Sequence, residues 1–336
     1  MRHCARSLAL GAVVAAFAVA ARPAGAGFSD ILRRIGHTMG PVLLTRDVLA
    51  RPGEEVTLHA SLRSGLRLGG MGGVRLQFHL EERRIDQVAS DADGDASVRW
   101  TAPAEPGNYR IRVRVKADDQ PADGKAIAPA HLLVAVRKPD TPITIVDLDK
   151  TLVGSGFHTV LLGGGRAKPM DGSGVVLARL ATTHTIVYLT HRPDFLGPTS
   201  KGWLASNGYP PGPVLTSTLG GLLEGSGSYK TQRLADLARN FKNLRVGIGD
   251  KVSDAQAYAA HGLVSILILH VDWSDDDPDD FEDVAGQLAA LPASVHVVTN
   301  WAEVNHILFS GARRPAGPMI SRLRAVAAEL RRRGKD

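Results

Sequence analysis

Cysteine is nearly absent: Cys4 is the only one in 336 residues. It precedes the first apolar run, so it is not placed as a lipoprotein cysteine. Without the segment that holds it, the mature chain has no thiol, which excludes disulfides, zinc–thiolate sites and cysteine nucleophiles. Such a chain is compatible with an oxidising compartment without proving one. Long apolar runs are also lacking, apart from residues 8–21. That run is shorter than the ~20 residues a membrane-spanning helix needs. Arg2 and Arg6 precede it, and Ala24-Gly25-Ala26 follows. This is the pattern of an export signal over residues 1–26, cleaved before Gly27, with an uncleaved anchor as the alternative. The chain is therefore expected to be exported, either periplasmic or released. An excess of one charge is small. The formal charge is +6, but the signal holds Arg2, Arg6 and Arg22 and no acid, which leaves 37 basic against 34 acidic residues, or +3. A balance that mild gives no reason to expect a nucleic-acid partner.

The length suits two domains, and a hydrophobic fraction of 44% supplies core material. After a short leader, residues 41–138 follow a period of two. Val56, Leu58, Ala60 and Leu62 alternate with Thr57, His59, Ser61 and Arg63. Val74, Leu76, Phe78 and Leu80 alternate with Arg75, Gln77, His79 and Glu81. Tyr109, Ile111, Val113 and Val115 alternate with three arginines and Lys116. Alternation turns one side of each strand to a core and the other to water. Arg51-Pro52-Gly53, Asp93-Gly94 and Pro106-Gly107 punctuate the runs as turns. The expectation is an antiparallel sandwich of roughly 100 residues. Pro52-Gly53-Glu54-Glu55-Val56, the acidic turn Asp91-Ala92-Asp93-Gly94-Asp95 and Pro106-Gly107-Asn108-Tyr109 are similar to the usual phrasing of bacterial immunoglobulin-like modules. The acidic turn is read as a hairpin turn, because the later ligands of an EF-hand loop are missing.

Arg137-Lys138-Pro139-Asp140-Thr141-Pro142 reads as a linker. Over residues 142–312, compact apolar runs at 143–148, 185–189, 244–248, 264–270 and 295–298 alternate with helical patterns such as 229–240 and 253–261. Buried strands alternating with helices give an α/β domain whose parallel sheet is covered on both sides. Ligands bind such sheets at the carboxyl ends of the strands. Asp147-Leu148-Asp149-Lys150-Thr151, Thr190, and Gly249-Asp250-Lys251-Val252-Ser253-Asp254 all fall there, and Lys230 lies on the helical pattern between the last two. Each supplies a different part for cleaving a phosphate monoester. A carboxylate nucleophile divides the reaction through an aspartyl-phosphate. A second carboxylate protonates the leaving alcohol and then activates water. Two neighbouring carboxylates repel, so a cation should neutralise them, and magnesium prefers carboxylate and phosphate oxygens. Thr190 offers a hydroxyl to a phosphate oxygen, and Lys230 a fixed positive charge for the transferring group.

In this order the four segments resemble the motifs of the haloacid dehalogenase (HAD) phosphatase superfamily, across residues 143–309. The resemblance implies a HAD-like Rossmannoid sheet with a minimal cap. It makes Asp147 the nucleophile and Asp149 the acid/base. It assigns Thr151, Thr190 and Lys230 to phosphate. It assigns magnesium to Asp147, Asp149 (through its backbone carbonyl), Asp250 and Asp254. Leu189-Thr190-His191-Arg192-Pro193, Trp203-Leu204, Gly208-Tyr209-Pro210-Pro211-Gly212-Pro213 and the run from Gly247 to Tyr258 are similar, more narrowly, to the lipin-type phosphatidate phosphatase domain. That domain also ends the phosphatidylinositol-transfer proteins, where it is thought to sense phosphatidate. Lys150 departs from the lipin pattern, which has glycine there. Two readings follow: an exported magnesium-dependent phosphatase acting on phosphatidate or another lipid phosphate, and a lipid-binding sensor with negligible turnover. Only 38 residues separate Thr151 from Thr190, and 39 separate Thr190 from Lys230. Neither gap has room for a large cap, so the site should be open to a bulky phosphorylated substrate.

Other features are weaker. Gly225-Ser226-Gly227-Ser228-Tyr229-Lys230 lacks the spacing of a phosphate loop and is read as the lead-in to a helix starting near Tyr229. His191 is read as structural or solvent-facing, and the acidic run 275–280 as a solvated helix start. Residues 313–336 form a basic tail with eight Lys/Arg and two acids. Ile320, Leu323, Ala327 and Leu330 recur there at helical spacing. Such a helix either lies on an anionic membrane or is an ordinary solvated terminus.

Overall fold

The computed structural model describes residues 40–64, 69–122, 126–154, 167–217 and 226–333. The expected export signal lies outside them. The chain divides into two compact units. One runs to Val136 and takes in Asp194–Pro198; the other holds Arg137–Pro193 and the residues from Thr199 on.

Among the described residues the first unit is a β-sandwich of nine strands: β1 (Val42–Thr45), β2 (Val48–Ala50), β3 (Glu55–Ser64), β4 (Gly69–Gly70), β5 (Arg75–Leu80), β6 (Arg83–Ala89), β7 (Asp95–Thr101), β8 (Gly107–Val115) and β9 (Ala130–Val136). In one sheet β3 pairs with β1, β4 and β7; the other has the order β2-β9-β8-β5-β6. All pairs are antiparallel except β2 with β9. The expected inward residues form the core, with Leu58, Leu62 and Val98 from one sheet meeting Phe78, Ile111 and Val134 from the other. The Tyr109 hydroxyl donates to the Glu105 carbonyl at 2.7 Å, the corner contact typical of immunoglobulin-like sandwiches. This is the sandwich that the alternation implies, with the immunoglobulin-like character that the resemblance implies.

Two details differ from the sequence reading. The acidic turn is not a hairpin: β6 and β7 belong to different sheets, so the turn crosses between them. Asp91 Oδ1 accepts from the Asp93 and Asp95 amides at 3.0 and 2.8 Å, and Gly94 takes φ +76°. The outward side of β5 is also covered, with Gln77 and His79 buried beside the arginines of β8.

Among the described residues of the second unit, six parallel strands lie in the order β12-β11-β10-β13-β14-β15. They are β10 (Ile143–Val146), β11 (Thr185–Pro193), β12 (Val214–Ser217), β13 (Leu244–Gly249), β14 (Val264–Ile268) and β15 (His296–Val298). The helices are α1 (Ser173–Leu180), α2 (Gly197–Ser206), α3 (Ser226–Asn240), α4 (Val252–Ala260), α5 (Pro278–Ala289), α6 (Trp301–Ser310) and α7 (Gly317–Arg333). Helix α3 begins at Ser226, a turn earlier than expected. All four residues of β10 are buried, as a central strand covered on both sides requires. The linker is pinned to this unit: Lys242 N donates to the Pro139 carbonyl at 3.0 Å and Asn243 Nδ2 to that of Asp140 at 2.7 Å.

One core gathers Val146, Tyr188, Ile248, Ile266 and Trp301; a second gathers Leu267, Phe281, Ala285, Leu288 and Val297. The second includes Leu323 and Ala327 of α7, so the apolar stripe of the basic tail packs inside this unit, against α5. Arg331 of α7 reaches Asp279 at 2.8 Å and Glu282 at 3.4 Å. The acidic run does start a helix: Asp277 caps α5 by accepting from the Asp279 amide at 2.9 Å.

Candidate active site

Successive strands leave β10 in opposite directions, with β11 on one side and β13 on the other. That reversal opens a crevice at the carboxyl ends of β10 and β13, the usual ligand site of an open α/β sheet. Asp147 stands at the end of β10, where its amide donates to the Ile248 carbonyl at 2.9 Å. Asp250 directly follows β13, and Asp254 lies on the first turn of α4. Gly249 makes the approach of α4 feasible, since a Cβ there would lie 2.8 Å from Asp254 Oδ2. Gly247 does the same one step back, where a Cβ would fall 2.2 Å from the Tyr258 ring. Lys230 enters from the second turn of α3.

These four side chains meet. Lys230 Nζ lies 3.1 Å from Asp147 Oδ1 and 2.6 Å from Asp254 Oδ2. Asp147, Asp250 and Asp254 each offer a carboxylate oxygen within 4.8 Å of the others. Asp147, Lys230 and Asp254 are all buried, at 4%, 1% and 0% exposure. Three acids against one lysine leave excess negative charge in a place with little water. Burial first, then Asp147 and Asp254, push the Asp250 carboxyl up to about 7. Burial also raises Asp254 to about 6 despite the adjacent Lys230. For Lys230, burial works against the charge, but Asp147 and Asp254 outweigh it and hold the ammonium above its ordinary range. Asp250 Oδ1 and Asp254 Oδ1 are buried without a hydrogen-bond partner. Unpaired buried oxygens on a surplus of carboxylates are a donor set that fits a hard divalent cation such as magnesium.

Asp149 stands apart from this cluster. Arg192 clasps its carboxylate with both arms, Nη2 to Oδ1 at 2.7 Å and Nε to Oδ2 at 2.9 Å. Arg192 is itself 4% exposed and is anchored by Nη1 donating to Ser200 Oγ at 2.9 Å. Thr190 is buried at the same strand end, and its Oγ1 accepts from the Arg192 amide at 3.3 Å. Thr151 is fully buried with its Oγ1 unpartnered, while its carbonyl accepts from Trp301 Nε1 at 2.8 Å. Between Asp149 and Thr151 the backbone turns through Lys150 in the left-handed region, φ +53°. Glycine takes that conformation without strain, so the departure at Lys150 falls where it costs most. His270 Nε2 donates to the Lys150 carbonyl at 2.6 Å and ties the loop to the end of β14. His191 packs beside Tyr229, ring centroids 5.6 Å apart. Nothing in the sequence sets Arg192 apart beyond its place in Thr190-His191-Arg192-Pro193.

No family model and no curated protein matches the chain. Among solved structures, a D,D-heptose 1,7-bisphosphate phosphatase from B. bronchiseptica, complexed with magnesium and phosphate, is 21% identical with a TM-score of 0.37 and covers 51% of this chain and 99% of its own. The D00-D0 domain of intimin is 13% identical with a TM-score of 0.22, covering 29% of this chain and 46% of its own. The Yersinia pseudotuberculosis adhesin InvE is 16% identical with a TM-score of 0.21, covering 32% and 31%. At such distances the fold assignment rests on the chain's own strand order. By that criterion the second unit is a doubly wound parallel sheet of Rossmann type, and the first is a two-sheet, mainly antiparallel sandwich.

Proposed function

We propose that the protein is a magnesium-dependent phosphoric monoester hydrolase. The observation that carries this reading is the buried group of Asp147, Asp250 and Asp254 around Lys230 at the strand-order reversal. Asp147 is the nucleophile. Its carboxylate oxygen attacks phosphorus, the ester P–O bond breaks, and the alcohol leaves with a proton from Asp149. Asp149 then takes a proton from water. The hydroxide attacks the aspartyl-phosphate, releasing inorganic phosphate and restoring Asp147. Lys230 holds positive charge beside the transferring group, and the hydroxyls of Thr151 and Thr190 serve its oxygens. Asp147, Asp250, Asp254 and the Asp149 carbonyl would hold magnesium, which when bound offsets the carboxylate and phosphate charge. Arg192 fixes the direction of Asp149.

The substrate we propose is a lipid phosphate, phosphatidate among them, met by an exported protein. The short gaps around Thr190 support an open site, although residues 155–166 and 218–225 lie outside the described residues. Any contact of the tail with an anionic surface would use its arginines, since its apolar stripe is already packed. One observation favours the second reading, a phosphatidate sensor: both oxygens of Asp149 are engaged by Arg192. Phosphate release from phosphatidate vesicles and from an aryl phosphate, with and without magnesium, separates the two. Turnover that needs magnesium and vanishes in Asp147→Asn and Asp149→Asn supports the enzyme. Vesicle binding without turnover overturns it in favour of the sensor.

A further inference from the structure

The outward side of the second sheet of the sandwich carries an arrangement that folding alone disfavours. Register places Arg84 of β6 opposite His79 of β5, His79 opposite Arg112 of β8, and Arg112 opposite His131 of β9. Neighbouring strands lie about 4.8 Å apart, so this row of basic side chains spans roughly 14 Å. A second line crosses it along β8, where Arg110, Arg112 and Arg114 recur at every other residue, about 7 Å apart. Every directly opposite pair in the row is an arginine with an imidazole, so the like charges are Arg110, Arg112 and Arg114, neighbours along one side of β8, with Arg84 two strands away. Acids do little to offset them. Among the described residues, none of Arg84, Arg110 and Arg114 meets a carboxylate, and Arg112 has only the exposed Glu82 at 3.9 Å. His79, between Arg84 and Arg112 in this row, is 6% exposed. Burial first, then Arg114 and Arg112, lower its affinity for a proton; a backbone hydrogen bond with Glu82 works the other way, and Arg84 adds to the lowering.

A cluster of arginines with almost no carboxylate inside the fold to offset it points to a partner. That partner must be anionic and broad, because the charges lie on an open sheet in two crossed lines. On this side β5, β8 and β9 present no Trp, Tyr or Phe. The aromatic platforms on which single-stranded nucleic acids stack are therefore missing. We propose that this sheet face docks the protein onto a bilayer rich in anionic phospholipid headgroups. The attraction is electrostatic and shallow, with each arginine near the surface contributing about a fivefold gain in partition. The proposal stands independently of the phosphatase reading, since it uses no residue of the second unit.

The test is co-sedimentation of the full chain with phosphatidylglycerol-containing vesicles and with pure phosphatidylcholine vesicles, at low and high salt. The comparison is with Arg84→Gln/Arg110→Gln/Arg114→Gln, whose three side chains are exposed, and with Arg331→Gln/Arg332→Gln/Arg333→Gln in the tail. The proposal expects binding to anionic vesicles only, lost at high salt, with the sheet variant weakened about 100-fold and its melting temperature at or above the parent's. It is overturned by a sheet variant within about threefold of the parent, by equal binding to neutral vesicles, or by loss confined to the tail variant. Tighter retention of single-stranded DNA than of vesicles at the same salt overturns it as well.

Discussion

Asp250→Asn should make the metal-free protein more stable while removing its response to magnesium. Asp250 lies within 4.8 Å of two other carboxylates, and only Asp147 and Asp254 have the lysine in contact. Its carboxyl is pushed from 3.8 to about 7. A carboxyl raised in the folded state contributes stability that is full below its unfolded value and is lost as pH rises through the folded value. Metal-free protein should therefore weaken as pH climbs from about 4 to about 7. Three units correspond to at most ~4 kcal/mol. Asp254, raised to about 6, shares the same charge repulsion, so the two effects do not add. The new amide also needs hydrogen-bond partners of its own. A net gain of about 2 kcal/mol at pH 7.5 is the reasoned figure, or roughly 4–8 °C in melting temperature for a unit of this size. The assay is thermal unfolding in chelator at pH 5 and pH 7.5, for parent and variant. The reasoning is refuted if Asp250→Asn melts below the parent at pH 7.5, or if the metal-free parent is more stable at pH 7.5 than at pH 5.

Magnesium should raise the melting temperature of the parent, by about 2.7 kcal/mol of stabilisation at a hundredfold excess over Kd. Asp147→Asn and Asp250→Asn should show little of this shift, and an equal shift in all three would place the ion elsewhere. Arg192→Lys keeps the charge but loses the two-armed contact with Asp149. Its kcat should fall at least tenfold with unchanged melting, so parental kcat would remove Arg192 from the positioning of Asp149. Lys150→Gly relieves a left-handed residue at φ +53° and should stabilise by about 1 kcal/mol in denaturant titration; a loss of stability would show that the Lys150 side chain is needed. Gly247→Ala drives a methyl to 2.2 Å from the Tyr258 ring. It should cost about 3 kcal/mol or prevent folding, and parental melting would contradict the close packing of α4 on β13.

Much of the fold was legible because it rests on local periodicity. The two-residue alternation of Leu58, Ala60 and Leu62, or of Ile111, Val113 and Val115, admits one side to a core whatever the partner strand. The apolar runs that became β10, β11, β13, β14 and β15 could only be covered on both faces. Strand β12 escaped notice because its four residues follow Pro210-Pro211-Gly212-Pro213 and are too few to show a period. The acidic turn looked like a hairpin because turn chemistry reports that the chain reverses, not which sheet receives it. Gln77 and His79 looked solvated because alternation cannot see the arginines of the neighbouring strand.

Arg192 shows the same boundary inside the site. It is 43 residues from Asp149 in the chain, and nothing local distinguishes a buried, clasped arginine from an exposed one. Their meeting follows from the pairing of β10 with β11. The amphipathic period of α7 was readable, yet periodicity says only that a helix has an apolar side, and packing chose α5 to cover it. The sequence by itself determined the elements, the order of the polar segments and their place at strand ends, because these depend on short-range periodicity and residue chemistry. Only the tertiary structure decided that Lys230 lies between Asp147 and Asp254, that Asp149 answers to Arg192, and that basic side chains stand opposite one another across β6, β5, β8 and β9. Those facts depend on which strands are neighbours and in what register, and register is a property of the assembled sheet.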